Sequence, residues 1–116
     1  MAVKRIVANI AASDTAGARA FYGDILGLDI AMDLGWIVTF AADAATTPQV
    51  SIALEGGSGT PVPDLSIEVD NLAEVHRRMV QAGVAIEYGP VLEPWGVRRF
   101  FARDPFGRLL NILSHD

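Results

Sequence analysis

Residues 6–32, IVANIAASDTAGARAFYGDILGLDIAM, read as strand, helix, glycine stop and strand, and residues 62–89, VPDLSIEVDNLAEVHRRMVQAGVAIEYG, read the same way. Laid over one another, Val7 falls on Asp64, Ile10 on Ile67 and Ser13-Asp14 on Asp70-Asn71, with Gly27 against Gly83 after one gap in the helix. Each helix carries its own start and stop signals. Ser13 or Asp14 in the first, and Asp70 or Asn71 in the second, can accept hydrogen bonds from the free N–H groups of a first turn. Gly27 and Gly83 suit the left-handed residue that ends a helix. Ala18, Phe21, Tyr22 and Ile25 share one helical face, and so do Leu72, Val75, Met79 and Ala82. Both helices thus have an apolar stripe and need a sheet to cover.

Further strands are expected after each helix. In the first half they are Asp29–Asp33, Trp36–Ala41 and Gln49–Glu55; in the second, Ala85–Tyr88, Arg98–Arg103 and Arg108–Leu113. Between the halves lies EGGSGTPVPD, residues 55–64, the one plausible linker, loosened by glycines and broken by prolines. Its GGSG is not a phosphate loop, because no lysine or helix start follows. The pattern is α+β: two βαβββ modules, residues 1–58 and 62–116, in a single domain spanning 1–116.

Composition narrows the function classes. A chain of 116 residues, 51% hydrophobic and 20% charged, is that of an ordered globular domain. The apolar fraction is high for so short a chain, which suggests apolar surface buried against another copy. No apolar run reaches the ~18 residues of a membrane helix, and MAVKRIVANIAASD lacks the apolar segment and cleavage site of a signal peptide. No membrane partner is expected, and cytoplasmic is the default location. The chain has no cysteine, which removes disulfides, thiolate nucleophiles and zinc–sulfur sites together. With a net charge of −5 and only a small basic group (Arg98, Arg99, Arg103, Arg108), nucleic acid is not an expected partner. No G-x-S-x-G elbow appears, and no serine has a histidine at a suggestive spacing.

The repeat, together with ARAFYGDILGL in the first helix and PWGVRRFFARDPFGRLLNI at the end, resembles the vicinal oxygen chelate superfamily. That group holds glyoxalase I, extradiol dioxygenases, fosfomycin resistance enzymes, and the bleomycin resistance proteins that bind drug without metal. The resemblance implies modules that curl mixed sheets into cups around a ligand, helices outside, often completed by a second copy as a homodimer. In metal-dependent members His, Gln or Glu ligands project into the cup from the first and last strands of each module. Carried over, those positions are Val7, Ala53, Asp64 and Asn111. Val7 and Ala53 have no donor atom, and a catalytic divalent metal wants about three strong N or O ligands. His76, mid-helix beside Arg77 and away from the apolar stripe, reads as a solvated surface residue, and His115 lies where chains fray. No metal and no cofactor are therefore assigned.

Alternation along strands assigns faces. Ala8 and Ile10 should pack under the helix while Val7, Asn9 and Ala11 look into the cup. Val50, Ile52 and Leu54 should pack while Ser51, Ala53 and Glu55 look in. Leu65, Ile67 and Val69 should pack while Asp64, Ser66 and Glu68 look in. Small and polar residues among aliphatic ones describe either a pocket or a solvated sheet face. Trp36, Phe40, Trp95 and Phe100 are candidate aromatic walls or core. Trp95 is the best placed of them, held in a loop between Pro94 and Gly96. One of Arg98 and Arg99 faces inward, where it can pair with Glu68 or Glu55 or orient a ligand anion. Arg103, Asp104 and Arg108 read as solvated edges of the DP-x-G turn.

The reading these residues favour is a metal-independent binding protein, closest in character to the bleomycin resistance members, that sequesters an antibiotic or aromatic metabolite without turnover. Its small organic ligand would contact Val7, Trp36, Ala53, Asp64, Ser66, Glu68, Trp95, Arg98, Phe100 and Asn111. The alternative is a glyoxalase-like lyase or isomerase, or a dioxygenase-related enzyme, with an atypical metal site using Asp64, Glu55 or Glu68. A third possibility is an interaction domain whose cup is filled.

Overall fold

The structure is a computed structural model and describes residues 5–46 and 49–115. The outer bounds of the two modules, residues 1 and 116, lie outside the described residues. Helix α1 begins as a short α-helical turn, Ala16–Ala18, and continues with wider π-type turns over Arg19–Ile25. Its last turns close through Leu26 N–H to the Phe21 carbonyl at 3.1 Å and Leu28 N–H to the Tyr22 carbonyl at 3.0 Å. Then come β1 (Asp29–Asp33), β2 (Val38–Ala41), β3 (Leu65–Glu68), α2 (Leu72–Gln81), β4 (Ile86–Leu92), β5 (Val97–Arg103) and β6 (Leu109–His115). The expected mixed α+β architecture is present.

The second module is complete. Its four strands are ordered β3-β6-β5-β4, with β3 parallel to β6 and the other neighbours antiparallel. Helix α2 lies across one face. Asn71 caps it, its side chain accepting from the Glu74 N–H at 3.1 Å, and Gly83 follows the C-cap at φ 76°, as Gly27 follows α1. Leu72 and Met79 of α2, Phe21 and Tyr22 of α1, and Phe100, Ala102, Leu110 and Ile112 of the sheet form one buried cluster. The helix stripes expected from periodicity are the ones that pack here, except that Ala82, at the C-cap, is exposed.

The first module departs from expectation. Among its described residues only β1 and β2 pair, as a two-stranded antiparallel hairpin. Residues 5–12 and 49–55, expected to be the outer strands, form no ladder within the chain. Val50, Ile52 and Leu54, expected to pack, are 71%, 93% and 104% exposed. Ile10 does pack against the core, but Ala8 is exposed. A strand is held by the backbone of a neighbour, and neither segment forms a ladder with the β1–β2 hairpin.

The DP-x-G turn also differs from the expectation of solvated edges. Asp104 is 5% exposed. Its Oδ1 accepts the N–H groups of Phe106 and Arg108 at 2.9 and 2.8 Å, and its Oδ2 accepts the Tyr22 hydroxyl at 2.7 Å. One carboxylate thus closes the β5–β6 turn and ties it to α1, satisfying the polar groups that burial would otherwise leave costly. Burial, then the hydrogen bond and charge of Asp104, hold the Tyr22 hydroxyl well above its ordinary pKa.

Candidate functional site

The register of the second sheet separates its two faces. Phe100 pairs with Ile112 and Ala102 with Leu110, and all four lie on the face that carries the helices. Phe101 pairs with Asn111, Arg99 with Leu113 and Ser66 with Asn111, which places these side chains on the opposite, helix-free face. The Asn111 Nδ2 donates to the Ser66 Oγ at 3.1 Å. A register shift in β4 between Ile86 and Tyr88 breaks the alternation there. Ile86 therefore joins the core, while Tyr88 turns to the helix-free face and meets the Phe101 ring at 5.4 Å.

Arg99 organises this face. The Arg99 and Glu93 side chains are only 4% and 2% exposed, and the guanidinium donates to Glu93 Oε2 from Nε at 2.9 Å and from Nη2 at 2.6 Å. Its remaining donors reach the linker, to the Gly56 carbonyl at 2.8 Å and the Gly57 carbonyl at 3.2 Å. The guanidinium carbon stands 4.8, 5.1 and 5.5 Å from the ring centres of Phe101, Trp95 and Tyr88, an aromatic box suited to a delocalised cation. Glu93 also accepts the Tyr88 hydroxyl at 3.0 Å and the Ser58 hydroxyl at 3.1 Å. Burial pushes the Glu93 carboxyl up, but hydrogen bonds from Tyr88, Arg99 and Ser58 and the arginine's charge outweigh it, so its pKa falls below the ordinary carboxylate value.

The clamped linker forms a tight turn. Gly56 N–H donates to the Thr60 carbonyl at 2.7 Å, Thr60 N–H to the Gly57 carbonyl at 3.0 Å, and Gly59 N–H to Glu55 Oε1 at 3.0 Å. Gly57 has φ +89°, and a Cβ there would lie 2.8 Å from the Trp95 ring. Between this turn and the sheet lies an open cleft of about 320 Å³, walled by Ser58, Thr60 and Pro61 on one side and Tyr88, Phe101 and Leu109 on the other. That volume is at the lower end of the range for small-molecule sites, about 300–1,000 Å³.

The sequence-predicted residues divide sharply. Asp64, Ser66, Glu68 and Asn111 do share the helix-free face. Asp64 Oδ2 accepts the Leu109 N–H at 3.0 Å, and Glu68 meets His115 Nδ1 at 2.9 Å. His115 therefore ends a strand rather than fraying. Trp95 is half exposed against the Arg99 guanidinium. Phe100 is not a wall of this face: it is fully buried beneath α2, with the His76 ring edge-on at 5.1 Å. His76 accordingly packs on the core rather than standing free in solvent. Arg98 pairs in register with Ser114, on the face opposite Arg99. Trp36 sits in the β1–β2 turn, 79% exposed, and Val7 and Ala53 lie on the unpaired segments. None of these three is brought to the cleft.

Glu93, Tyr88, Phe101 and Ser58 were missed. The doublet Phe100-Phe101 leaves the phase of β5 open, and the β4 shift that brings Tyr88 to the cleft leaves no mark in strict alternation.

The positions implied for a metal do not fit one. Val7 and Ala53 offer no donor, Asp64 commits one oxygen to a backbone N–H, and Asn111 is a neutral amide bound to Ser66. Among the described residues no group of three or more His, Cys, Asp or Glu side chains is gathered to hold an ion.

Solved structures of similar fold cover nearly the whole chain. TnmS3, an antibiotic binding protein from Streptomyces sp. CB03234, is 22% identical with a TM-score of 0.70, over 100% of this chain and 97% of that one. A superfamily member from Sphaerobacter thermophilus is 24% identical with a TM-score of 0.68, over 99% and 98%. A lactoylglutathione lyase from Agrobacterium tumefaciens is 19% identical with a TM-score of 0.62, over 97% and 92%. The comparison with curated proteins found no match. The family model for the Glyoxalase/Bleomycin resistance protein/Dioxygenase superfamily matches residues 3–112. With a repeated strand–helix sequence, a complete βαβββ second module and a match over nearly its full length, the chain belongs to the Glyoxalase/Bleomycin resistance protein/Dioxygenase superfamily.

Proposed function

We propose that this protein binds a small organic molecule, an antibiotic or an aromatic metabolite, without a metal ion and as a homodimer. The observation that carries the reading is the cleft beside Tyr88 and Phe101, roofed by a linker that a buried ion pair clamps in place. Such a site offers flat apolar walls with hydroxyls at the rim, which suits affinity more than chemistry. The Ser58 and Tyr88 hydroxyls at the cleft both donate to the Glu93 carboxylate, but that carboxylate is ion-paired with Arg99 and shared among three hydrogen-bonding partners, which leaves it a weak base. The likeness to TnmS3 supports the same direction through fold.

A thermal-shift screen of antibiotics and aromatic metabolites, run beside elemental analysis after incubation with zinc, nickel, iron and manganese and dialysis, tests the reading. A rise in melting temperature with a ligand and no retained metal is the expected outcome. Stoichiometric retained metal would overturn metal independence and favour a glyoxalase-like lyase or isomerase.

The second copy has its own support. The protein exposes 7890 Å², against about 6,100 Å² for a compact monomer of this mass. The excess is well above the ~800 Å² per partner that a stable interface buries. It includes the alternating apolar side chains Val50, Ile52 and Leu54, a strand-like pattern with no sheet.

A further inference from the structure

Every hydroxyl that lines the cleft has already committed its proton to the protein. Ser58 and Tyr88 donate to the Glu93 carboxylate at 3.1 and 3.0 Å, and Thr60 Oγ1 donates to the Gly57 carbonyl at 2.7 Å. An ionised carboxylate and a carbonyl can only accept, so what the three hydroxyl oxygens still offer a ligand is lone pairs. The linker wall adds no backbone donor at Gly59, Thr60 or Pro61. The Gly59 N–H is bonded to Glu55 Oε1, the Thr60 N–H to the Gly57 carbonyl, and proline has none. These groups make the cleft a surface of acceptors.

Glu87 gives that surface its charge, for among the side chains lining the cleft it alone is charged. It is the extra residue of the β4 shift: Ile86 pairs with Ala102 and Tyr88 with Phe101, so Glu87 has no partner on β5. Strict alternation would set it on the face opposite Tyr88. Instead both side chains reach the cleft, and Glu87 Oε2 accepts from Arg103 Nε at 2.7 Å. That pair is 40% exposed on each side, and ion pairs so exposed hold weakly. Glu87 Oε1 meets no protein donor among the described residues. The two guanidiniums nearby are committed, Arg99 to Glu93 and two linker carbonyls, Arg103 to Glu87 and the Gly107 carbonyl.

Building on the proposed binding role, we infer that the cleft recognises a protonated amine on an aromatic ligand, with Glu87 as the specificity-determining residue. An ammonium brings three N–H donors and no acceptor, the complement of a carboxylate oxygen beside hydroxyl lone pairs. The ligand's ring lies against Tyr88 and Phe101 while its ammonium meets Glu87 Oε1. A ligand whose polar end only accepts, such as a carboxylate, finds no donor on these groups and meets the charge of Glu87.

Three probes of one size test this: 2-phenylethylamine, 2-phenylethanol and phenylacetate, titrated into ¹⁵N-labelled protein and followed by the backbone amide signals of Glu87, Tyr88 and Phe101. The amine is expected to bind about three- to tenfold more tightly than the alcohol, the range for a charge-assisted contact at a half-exposed carboxylate, and phenylacetate most weakly. Added salt should narrow the gap. Glu87→Gln keeps the shape of the side chain and removes its charge. It should bring the amine down to the affinity of the alcohol and leave the alcohol's own affinity unchanged. Should that variant fail to fold, the ranking of the three probes on the unaltered protein still decides. Alcohol or phenylacetate binding as tightly as the amine, or an amine preference that survives Glu87→Gln, would overturn the role of Glu87 while leaving the binding role standing. If no probe moved these signals, both would fall.

Discussion

Arg99 and Glu93 show how one buried residue pair can hold a linker against a sheet. Removing one member of a buried, fully hydrogen-bonded ion pair strands the other. Arg99→Met is therefore expected to cost about 3–5 kcal/mol, read from the urea midpoint, and to expose the linker at Gly56–Ser58 to limited proteolysis. Acid should act on the same pair. Because the folded-state pKa of Glu93 lies below its ordinary 4.5, its contribution is complete above that value and is lost as pH falls through the folded value. The urea midpoint should drop in that acid range, and Glu93→Gln should flatten the dependence. Tyr22→Phe removes the 2.7 Å bond to the buried Asp104 and should cost about 1–3 kcal/mol, measured by the same unfolding experiment. If Tyr22→Phe left stability unchanged, Asp104 would act only as the turn's closing acceptor.

At the scale of elements, the second module is held by α2 on one side of its sheet and by the linker on the other. Met79 and Leu72 anchor the helix, with Met79 wholly buried. Met79→Ala should cost about 2–5 kcal/mol through lost burial and the cavity left behind, seen as a lowered thermal midpoint. The linker is fastened by Gly57 as well as by Arg99. At φ +89°, with the Trp95 ring 2.8 Å from where a Cβ would stand, Gly57→Ala should lift the linker off the sheet. The expected signature is a change in Trp95 fluorescence with the core unfolding transition retained. An unchanged spectrum would mean that the turn accommodates the methyl group without moving.

The whole molecule is larger than its length requires. Its radius of gyration is 14.5 Å, against about 13.4 Å for a compact domain of this length, and its extents of 43 × 42 × 25 Å describe a slab. Among the described residues, the outer segments of the first module, 5–12 and 49–55, form no ladder. The proposed homodimer would cover them. Light scattering should report twice the chain mass, and Ile52→Asp with Leu54→Asp should give a monomer, because charge on a buried apolar face opposes association. A monomer for the unaltered protein would sink that part of the proposal.

Periodicity alone determined much of this protein. Leu72, Val75 and Met79 recur at helical spacing, Asn71 can cap, Gly83 can turn left-handed, and Leu65 and Ile67 alternate against Ser66 and Glu68. These are local regularities, set by backbone geometry, and they survive folding because burial rewards the same residues. The tertiary structure alone decided the rest. The phase of Phe100-Phe101 depends on which register β5 takes against β6, and the inward turn of Tyr88 depends on a shift in β4. The pairing of Arg99 with Glu93, six residues away, depends on a loop that folds back to meet it. The first-module segments show the limit most clearly: Val50, Ile52 and Leu54 alternate as a strand should, yet a strand needs a neighbour's backbone to pair with. Alternation is written in the chain, but the partner is not.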